Sequence, residues 1–369
     1  MWAPFKKNMQ HLLQNAVLDN IEPLVSVVMA VYNGGRYLRE AINSILSQTF
    51  QDFEFIIVDD GSTDATPAIL DSYTDSRLIR LRNQRNIGLT RSLNRGLAVV
   101  RGKYIARMDA DDVSLPDRLE CQAAFLEARP GVGFVAAGFT IMDQTGEDKM
   151  TSQPHTDQQR LREALINENQ FCHGVVMLRR SCVESVCGYR EEFRYAQDYD
   201  LWLRILEHYE VACLDKILYR YRVSSDNISV TRLAGQDAYH ALAKKCYQRR
   251  QMGLTEDLSR AEKIAGTKEP PESFAACFKA RRAMSEYHLK WGRASLTEHM
   301  MPAARRELFR AARVFPFDSR IWFYLGLSLM GDGFLRRVKP VGSAILWRWR
   351  AILGHGRSAR IISNLKKRY

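Results

Sequence analysis

No run of 18 or more apolar residues occurs in the 369-residue chain, so no segment has the length that a bilayer-spanning helix requires. Residues 1–20 lack the apolar core of a signal peptide, and the location expected from this is the cytoplasm. Cys121, Cys172, Cys182, Cys187, Cys213, Cys246 and Cys277 are odd in number, scattered and without a CxxC spacing. That argues against a disulfide framework or a cysteine zinc site and fits reduced thiols, several of them in the core. Acid is what the C-terminal part lacks. Residues 231–369 hold 28 Lys and Arg against 11 Asp and Glu, residues 1–230 hold 26 against 31, and no acidic residue follows Asp332. The formal charge of +12 therefore belongs to the tail.

From Leu24 to Asp112 short apolar runs alternate with longer amphipathic ones, the pattern of βα units feeding a parallel sheet. Strands are expected over 25–31, 53–59, 78–82 and 104–108, each apolar or β-branched and each followed by a polar turn. Helices are expected over 36–47, 66–72 and 90–100, where apolar positions recur at three and four. Ligands of such open sheets bind beyond the carboxyl ends of the strands. There the chain carries Ala30-Val31-Tyr32-Asn33-Gly34-Gly35 and Val58-Asp59-Asp60-Gly61-Ser62-Thr63-Asp64.

The fourth strand runs into Asp109-Ala110-Asp111-Asp112. Like charges this close repel unless a cation sits among them, and carboxylates at a strand end are hard ligands for a divalent ion bridging to a diphosphate. The other reading is a solvated acidic turn capping the helix that starts near Pro116.

Taken together, Val25 to Asn33, the Val58-Asp59-Asp60-Gly61-Ser62 loop, Asn86-Ile87-Gly88 followed by Asn94, and Asp109-Ala110-Asp111-Asp112 resemble the nucleotide-sugar half of a family 2 glycosyltransferase. The likeness continues through His173-Gly174, Gln197-Asp198-Tyr199-Asp200-Leu201-Trp202 and Tyr219-Arg220-Tyr221-Arg222, covering roughly 23–231. It implies a GT-A (Rossmann-like) mixed sheet flanked by helices, an inverting transfer, a Mn²⁺ or Mg²⁺ cofactor and a nucleotide-sugar donor, most readily a UDP-sugar. The acceptor would be a glycan or a lipid-linked sugar in cell-surface polysaccharide synthesis.

By that resemblance Ala30, Tyr32 and Asn33 would lie beside the base, and Asp59 or Asp60 would accept from a base N–H or ribose hydroxyl. Structural alternatives stay open: Asp60 as a cap or Asx-turn residue, Asp59 as a buried strand-end acid. Arg85 and Arg91 could meet phosphate oxygens around Asn86 and Gly88, or simply be solvated. Asp109 and Ala110 would touch ribose or sugar, and Asp111, with Asp109 and Asp112, the metal. His173, Gln197 and Trp202 would belong to the acceptor side, although His173 also reads as a core histidine. Asp198 occupies the place of the family's catalytic base, near the start of a helix it could partly cap. The family often has Glu where this chain has Gln197, which leaves Asp198 the better base. Relatives commonly have a His two residues after the position of Arg222. Here Val223-Ser224-Ser225 follows, so a diphosphate contact would fall to Arg222 or Ser224, unless Arg222 closes the loop in an ion pair.

Two other activities suit such a chain: a nucleotidyl or sugar-phosphate transferase on the same sheet, and a helical-repeat adaptor that binds without turnover. Four segments are expected, namely an extension over 1–22, the catalytic domain over 23–231, a helical region over 232–333 and a basic amphipathic segment over 334–369. Helices are expected around 238–250 and 274–291, with the clearest break at Lys268-Glu269-Pro270-Pro271, and Thr297 to Leu329 resembles one tetratricopeptide-like hairpin. In the last segment ten basic residues interleave with Trp347, Trp349 and aliphatic side chains. Such a stretch suits peripheral contact with an anionic membrane better than it suits nucleic acid; a solvated helical cap is the third reading.

Overall fold

The computed structural model describes residues 22–223, 233–259, 301–314 and 318–330, with isolated positions between 261 and 296. The N-terminal extension, Ser224, the 268–271 break, Cys277, the helix expected over 274–291 and the segment 334–369 lie outside the described residues.

β1 (Val25–Val31), β2 (Phe53–Asp59) and β4 (Tyr104–Met108) are buried at every position, because helices cover both faces of a parallel sheet. β3 (Leu78–Arg82) is the half-covered edge. Between them run α1 (Leu38–Leu46), α2 (Thr66–Asp71) and α3 (Leu89–Leu97). The four strand ranges agree with those read from the sequence, and the helices begin or end up to three residues away. One charge inside this layer is fully answered: Glu54 of β2 accepts from Ser26 Oγ at 2.6 Å and from Arg101 N and Nε, both at 2.8 Å. Burying a carboxylate is tolerable only on such terms.

β5 (Val113–Ser114), α4 (Arg118–Ala128), β6 (Val132–Asp143), β7 (Asp148–Ser152), α5 (Gln158–Asn167), β8 (Met177–Arg179), α6 (Arg180–Ser185), α7 (Gln197–Ile205) and β9 (Glu210–Val223) complete a mixed sheet. Its order is β3-β2-β1-β4-β8-β6-β9-β5, with β7 on β6. β1 lies between β2 and β4, both parallel to it, so the chain winds outward in opposite directions from β1. This is a topological switch point, where a crevice opens at the strand carboxyl ends. Pairing of Val31 with Asp59 and of Met29 with Met108 brings the loops after β1, β2 and β4 to that edge.

The stretch 171–178, expected as a buried strand or a loop leading into one, is a 3₁₀ turn over His173–Val175 running into β8.

Contacts divide the chain between Lys268 and Glu269. α8 (Leu233–Gln251), assigned from sequence to a separate helical region, buries Tyr239, Leu242, Ala243, Cys246 and Tyr247 in the same core as the sheet. Its end is held by charge: Arg250 pairs with Glu207 at 2.6 Å and with Glu256, and Glu256 pairs with Arg190 at 2.5 Å. In the other unit α9 (Met301–Val314) and α10 (Ser319–Met330) bury Ala304, Leu308 and Ala311 against Ile321 and Leu325. Arg305, early in α9, donates to Ser328 O, late in α10, so the pair is antiparallel.

Candidate active site

At the carboxyl end of β1, Tyr32 is 48% exposed and Asn33 takes a left-handed backbone (φ 52°). Asn33 Oδ1 accepts from Thr63 N, and Asn33 N donates to Ser62 Oγ, each at 2.9 Å. The loops after β1 and β2 therefore brace each other and leave the Tyr32 ring facing solvent, as a base-stacking platform requires. Gly61, at φ 72°, has no room for a side chain, since a Cβ there would lie 2.5 Å from the Arg85 carbonyl carbon.

Asp60, one of the expected base contacts, is fully used by the protein. It accepts from Asn83 Nδ2 at 2.7 Å and from Ile87 N and Gly88 N at 2.9 Å. It fills the anion position at the start of α3 that a phosphate would otherwise take. Asp59 is buried too; its Oδ1 accepts from Ser62 N, while Oδ2 has only the Arg82 guanidinium, at 3.4 Å. Asn86 Oδ1 closes the same turn on Gly88 N, and Arg85 is exposed beside it. Arg91 pairs with Glu191 at 2.8 Å. Asn94 Nδ2 donates to Tyr189 O and its Oδ1 accepts from Tyr189 N, clamping the strap that leads to α7.

β4 delivers the acidic turn. Asp109 keeps about a quarter of its side chain exposed and accepts from Arg107 Nη2 at 2.7 Å. Arg107, buried, was not singled out from the sequence; its Nε and Nη1 have no hydrogen-bond partner. Arg222 fastens the turn from β9: its N donates to Asp112 Oδ1 and its Nε to Asp111 O, both at 2.7 Å. The same guanidinium reaches Glu40 at 2.6 Å and stacks 4.3 Å from the Tyr37 ring centre. Of the two readings open for Arg222, phosphate contact and loop-closing ion pair, the structure shows the ion pair, with the guanidinium engaged by Glu40 and by the Asp111 carbonyl. Asp112 is fully buried, and its Oδ2 has no hydrogen-bond partner. Burial, and then Asp109, push the Asp111 carboxyl up to about 6; burial followed by Asp111 and Asp109 push Asp112 well up.

Three carboxylates stand here against two guanidiniums, of which Arg222 is shared with Glu40, and the negative charge left over fits a divalent cation. Among the described residues no three His, Cys, Asp or Glu side chains converge as a ready ligand cage. A hard ion at this turn would be held by one or two carboxylates and completed by water and substrate phosphates.

Asp198 lies in the first turn of α7, which follows the left-handed Ala196 (φ 55°). Its Oδ2 accepts from Asn169 Nδ2 at 2.9 Å, a partner not picked out from the sequence. Burial raises the Asp198 pKa, Tyr199 N–H, His240 and Asn169 oppose that, and Asp109 adds to it. The carboxylates of β4 and α7 thus lie within electrostatic reach of each other. Asp200 and Arg204 anchor the helix below, paired at 2.8 Å, and Arg204 also donates to the carbonyls of Val186 and Gly188.

His173 is the satisfied histidine of the two readings. Its Nε2 is 2.7 Å from the Tyr189 hydroxyl, and burial, then Arg107, hold its pKa well below the usual value, so it is neutral. Two acceptor-side expectations move inward: Gln197 is buried, and Trp202 is wholly enclosed, its ring centre 4.9 Å from that of Phe134. One helical turn beyond Asp198, the indole lies in the helix–sheet interface and cannot meet an acceptor. Gly174 packs under Tyr219, whose hydroxyl accepts from Asp109 N at 3.2 Å. A Cβ at 174 would fall 1.9 Å from that oxygen. Gly174→Ala is expected to displace Tyr219 and to cost roughly 1–3 kcal/mol, as overpacking does; an unshifted urea midpoint would refute this.

The order of the strands and the position of the acidic turn define a GT-A-like α/β enzyme. A model of the family described as Glycosyl transferase family 2 matches residues 26–187. The putative glycosyltransferase EpsE of Bacillus subtilis is 38% identical over 213 residues, 56% of this chain and 76% of that protein. The amylovoran biosynthesis glycosyltransferase AmsE of Erwinia amylovora is 29% identical over 214 residues, 57% of this chain and 80% of its own. Among solved structures, the mannosyltransferase PcManGT of Pyrobaculum calidifontis, in complex with GDP-Man and Mn²⁺, aligns with a TM-score of 0.49 at 19% identity, covering 84% of this chain and 86% of that one. The chain belongs to glycosyltransferase family 2 and is a glycosyltransferase.

Proposed function

We propose that the protein transfers a sugar from a nucleotide-sugar, most readily a UDP-sugar, to a hydroxyl of a glycan or lipid-linked acceptor, with inversion at the anomeric carbon. What supports this reading is the pair of carboxylate sites, the Asp109 to Asp112 turn at the end of β4 and Asp198 in the first turn of α7, where Asn169 holds it. Asp198 takes the proton of the acceptor hydroxyl as that oxygen bonds to the anomeric carbon, and the bond from that carbon to the diphosphate oxygen breaks. Asn169 holds Asp198 in line. Tyr32 and Asn33, at the end of the strand carrying Ala30, receive the base, and Asp59, buried but with no hydrogen-bond partner on Oδ2, keeps acceptor capacity for a base or ribose contact that the saturated Asp60 lacks. Asp111, with Asp109, would hold Mn²⁺ or Mg²⁺, which when bound offsets the charge of the departing diphosphate. Asp112 and Arg222 hold that turn in shape. Arg85, being exposed, is the better of the two expected phosphate contacts. The relatives named for amylovoran synthesis and, in Escherichia coli, as chondroitin synthase support a polysaccharide product. The α9–α10 pair supports the tetratricopeptide-like reading of 297–329.

The test is nucleoside-diphosphate release from a panel of UDP-, GDP- and dTDP-sugars with Mn²⁺. Release from one donor, lost with EDTA and in Asp111→Ala, is expected. Release that survives both controls would remove the metal from the reading, and silence with no calorimetric nucleotide binding would overturn it.

A further inference from the structure

Residues 188–196 cross from α6 to α7 as an irregular strap, entered through the left-handed Cys187 (φ 59°) and Gly188 (φ 65°) and left through the left-handed Ala196 (φ 55°). Asp198 stands two residues beyond Ala196, so the strap sets the entry to the turn that carries this carboxylate. A segment outside helix and sheet takes its position from the groups that bond its backbone.

Much of that bonding comes from α3. Asn94 Nδ2 donates to Tyr189 O at 2.8 Å and Asn94 Oδ1 accepts from Tyr189 N at 3.1 Å, so one amide holds both main-chain groups of one residue. One turn earlier the buried Thr90 donates from Oγ1 to Phe193 O at 2.9 Å. The pair of Arg91 with Glu191, more than half exposed at both ends, adds little. From the other side Arg204 of α7 donates to Val186 O and Gly188 O.

The same helix is tied to the donor side. Asp60, just after β2, accepts from Ile87 N and Gly88 N at the start of α3. Further along, Leu93 is buried and Gly96 lies so close on β1 that a Cβ would fall 2.9 Å from Val28 Cγ1. α3 thus bonds the donor loop at one point and the strap at another, and its seat on the sheet sets the spacing between them. Tyr189 itself reaches into the site, with its hydroxyl 2.7 Å from His173 Nε2. Burial pushes its phenol up, Arg107 opposes, and Asp198 and Asp109 add to the rise, so both carboxylates lie within electrostatic reach of it.

We propose that Asn94 is a positioning residue for the transfer: by pinning Tyr189 to α3 it holds the entry of α7, and with it Asp198, in register with a donor on the loops after β1 and β2. This rests on the reading of Asp198 as the base. A displacement of about 1 Å from the productive geometry can cost about 10² in rate even when its cause lies away from the chemistry. An Asn94 that served stability alone would lower the melting temperature without changing the turnover of the folded enzyme.

The test is a cycle of Asn94→Ala, Asp198→Asn and the double variant in the full-length protein. Turnover is read as nucleoside-diphosphate release from the donor that the panel selects, and binding as calorimetric affinity for that nucleoside diphosphate. Asn94→Ala is expected to lower kcat by about ten- to a hundredfold and to leave the affinity within about twofold of wild type. In the Asp198→Asn background the same substitution should change kcat by less than about twofold, because changes along one chain of contacts do not add. Thr90→Val keeps the side-chain shape, removes one bond to the strap and should lower kcat in the same way by less; it carries the test if Asn94→Ala does not fold. Wild-type kcat in both Asn94→Ala and Thr90→Val, equal losses of rate and affinity, or full additivity with Asp198→Asn would overturn the proposal. A wild-type rate in Asp198→Asn alone would instead remove the base, and the proposal with it.

Discussion

Asp198→Asn is expected to lower kcat for transfer by about 10²–10⁴, the usual contribution of a positioned general base, while nucleotide affinity changes little. Asn preserves the volume and the contact with Asn169 Nδ2, so collapse of the site does not explain such a loss. Stability separates the two causes further. Burial raises the folded-state pKa of Asp198, so ionising it costs folding free energy. That cost is absent below the unfolded-state value and grows as pH rises through it. The Asn variant at pH 7 should therefore melt at the same temperature as the wild type or higher. The pKa also governs the rate profile: because the base must be ionised, kcat/KM should fall on the acid side with a midpoint above the ordinary carboxylate value of about 4. A wild-type rate in Asp198→Asn, or an acid limb at the ordinary value, would remove Asp198 from the role of base.

A chain ending at residue 231, where the resemblance to the family ends, is expected not to fold, whereas a chain ending at 268 should fold and keep donor binding. The shorter chain loses α8 and with it the burial of Tyr239, Leu242, Ala243, Cys246 and Tyr247. At about 1.5–3 kcal/mol for each large side chain, the loss matches the whole stability of a typical domain, about 5–15 kcal/mol. It also removes Glu256 from Arg190 and Arg250 from Glu207, and half of a broken buried pair costs more than the pair gained. The effect reaches the site, since Arg190 approaches Asp200 on the helix that carries Asp198. A cooperative thermal transition from the 231 form, at the temperature of the 268 form, would show α8 to be dispensable.

Taken alone, the sequence determined the strands and located the acidic turn and Asp198 at the start of a helix. β1, β2 and β4 were legible because a strand covered on both faces is apolar throughout and is cut by polar turns that cannot enter a core. Asp109, Asp111 and Asp112 stood out because carboxylates so close in sequence have no cheap structural purpose. Asp198 depended on its local motif, which continues into a helix in both readings.

What only the tertiary structure decided is the set of side chains drawn from distant parts of the chain. Asn169 meets Asp198 from 29 positions away, and Arg222 meets Asp112 from 110; such pairs leave no periodicity for a sequence to reveal. The same holds where a residue type suits two roles. Asp60 and Arg222 have the chemistry to bind a nucleotide, and packing assigned Asp60 to the start of α3 and Arg222 to Glu40. Trp202 follows Asp198 by one helical turn, yet it faces the core, because a helix lying on a sheet buries one side of itself. α8 reads as any amphipathic helix would; that it completes the catalytic core is settled by the surface it found to cover.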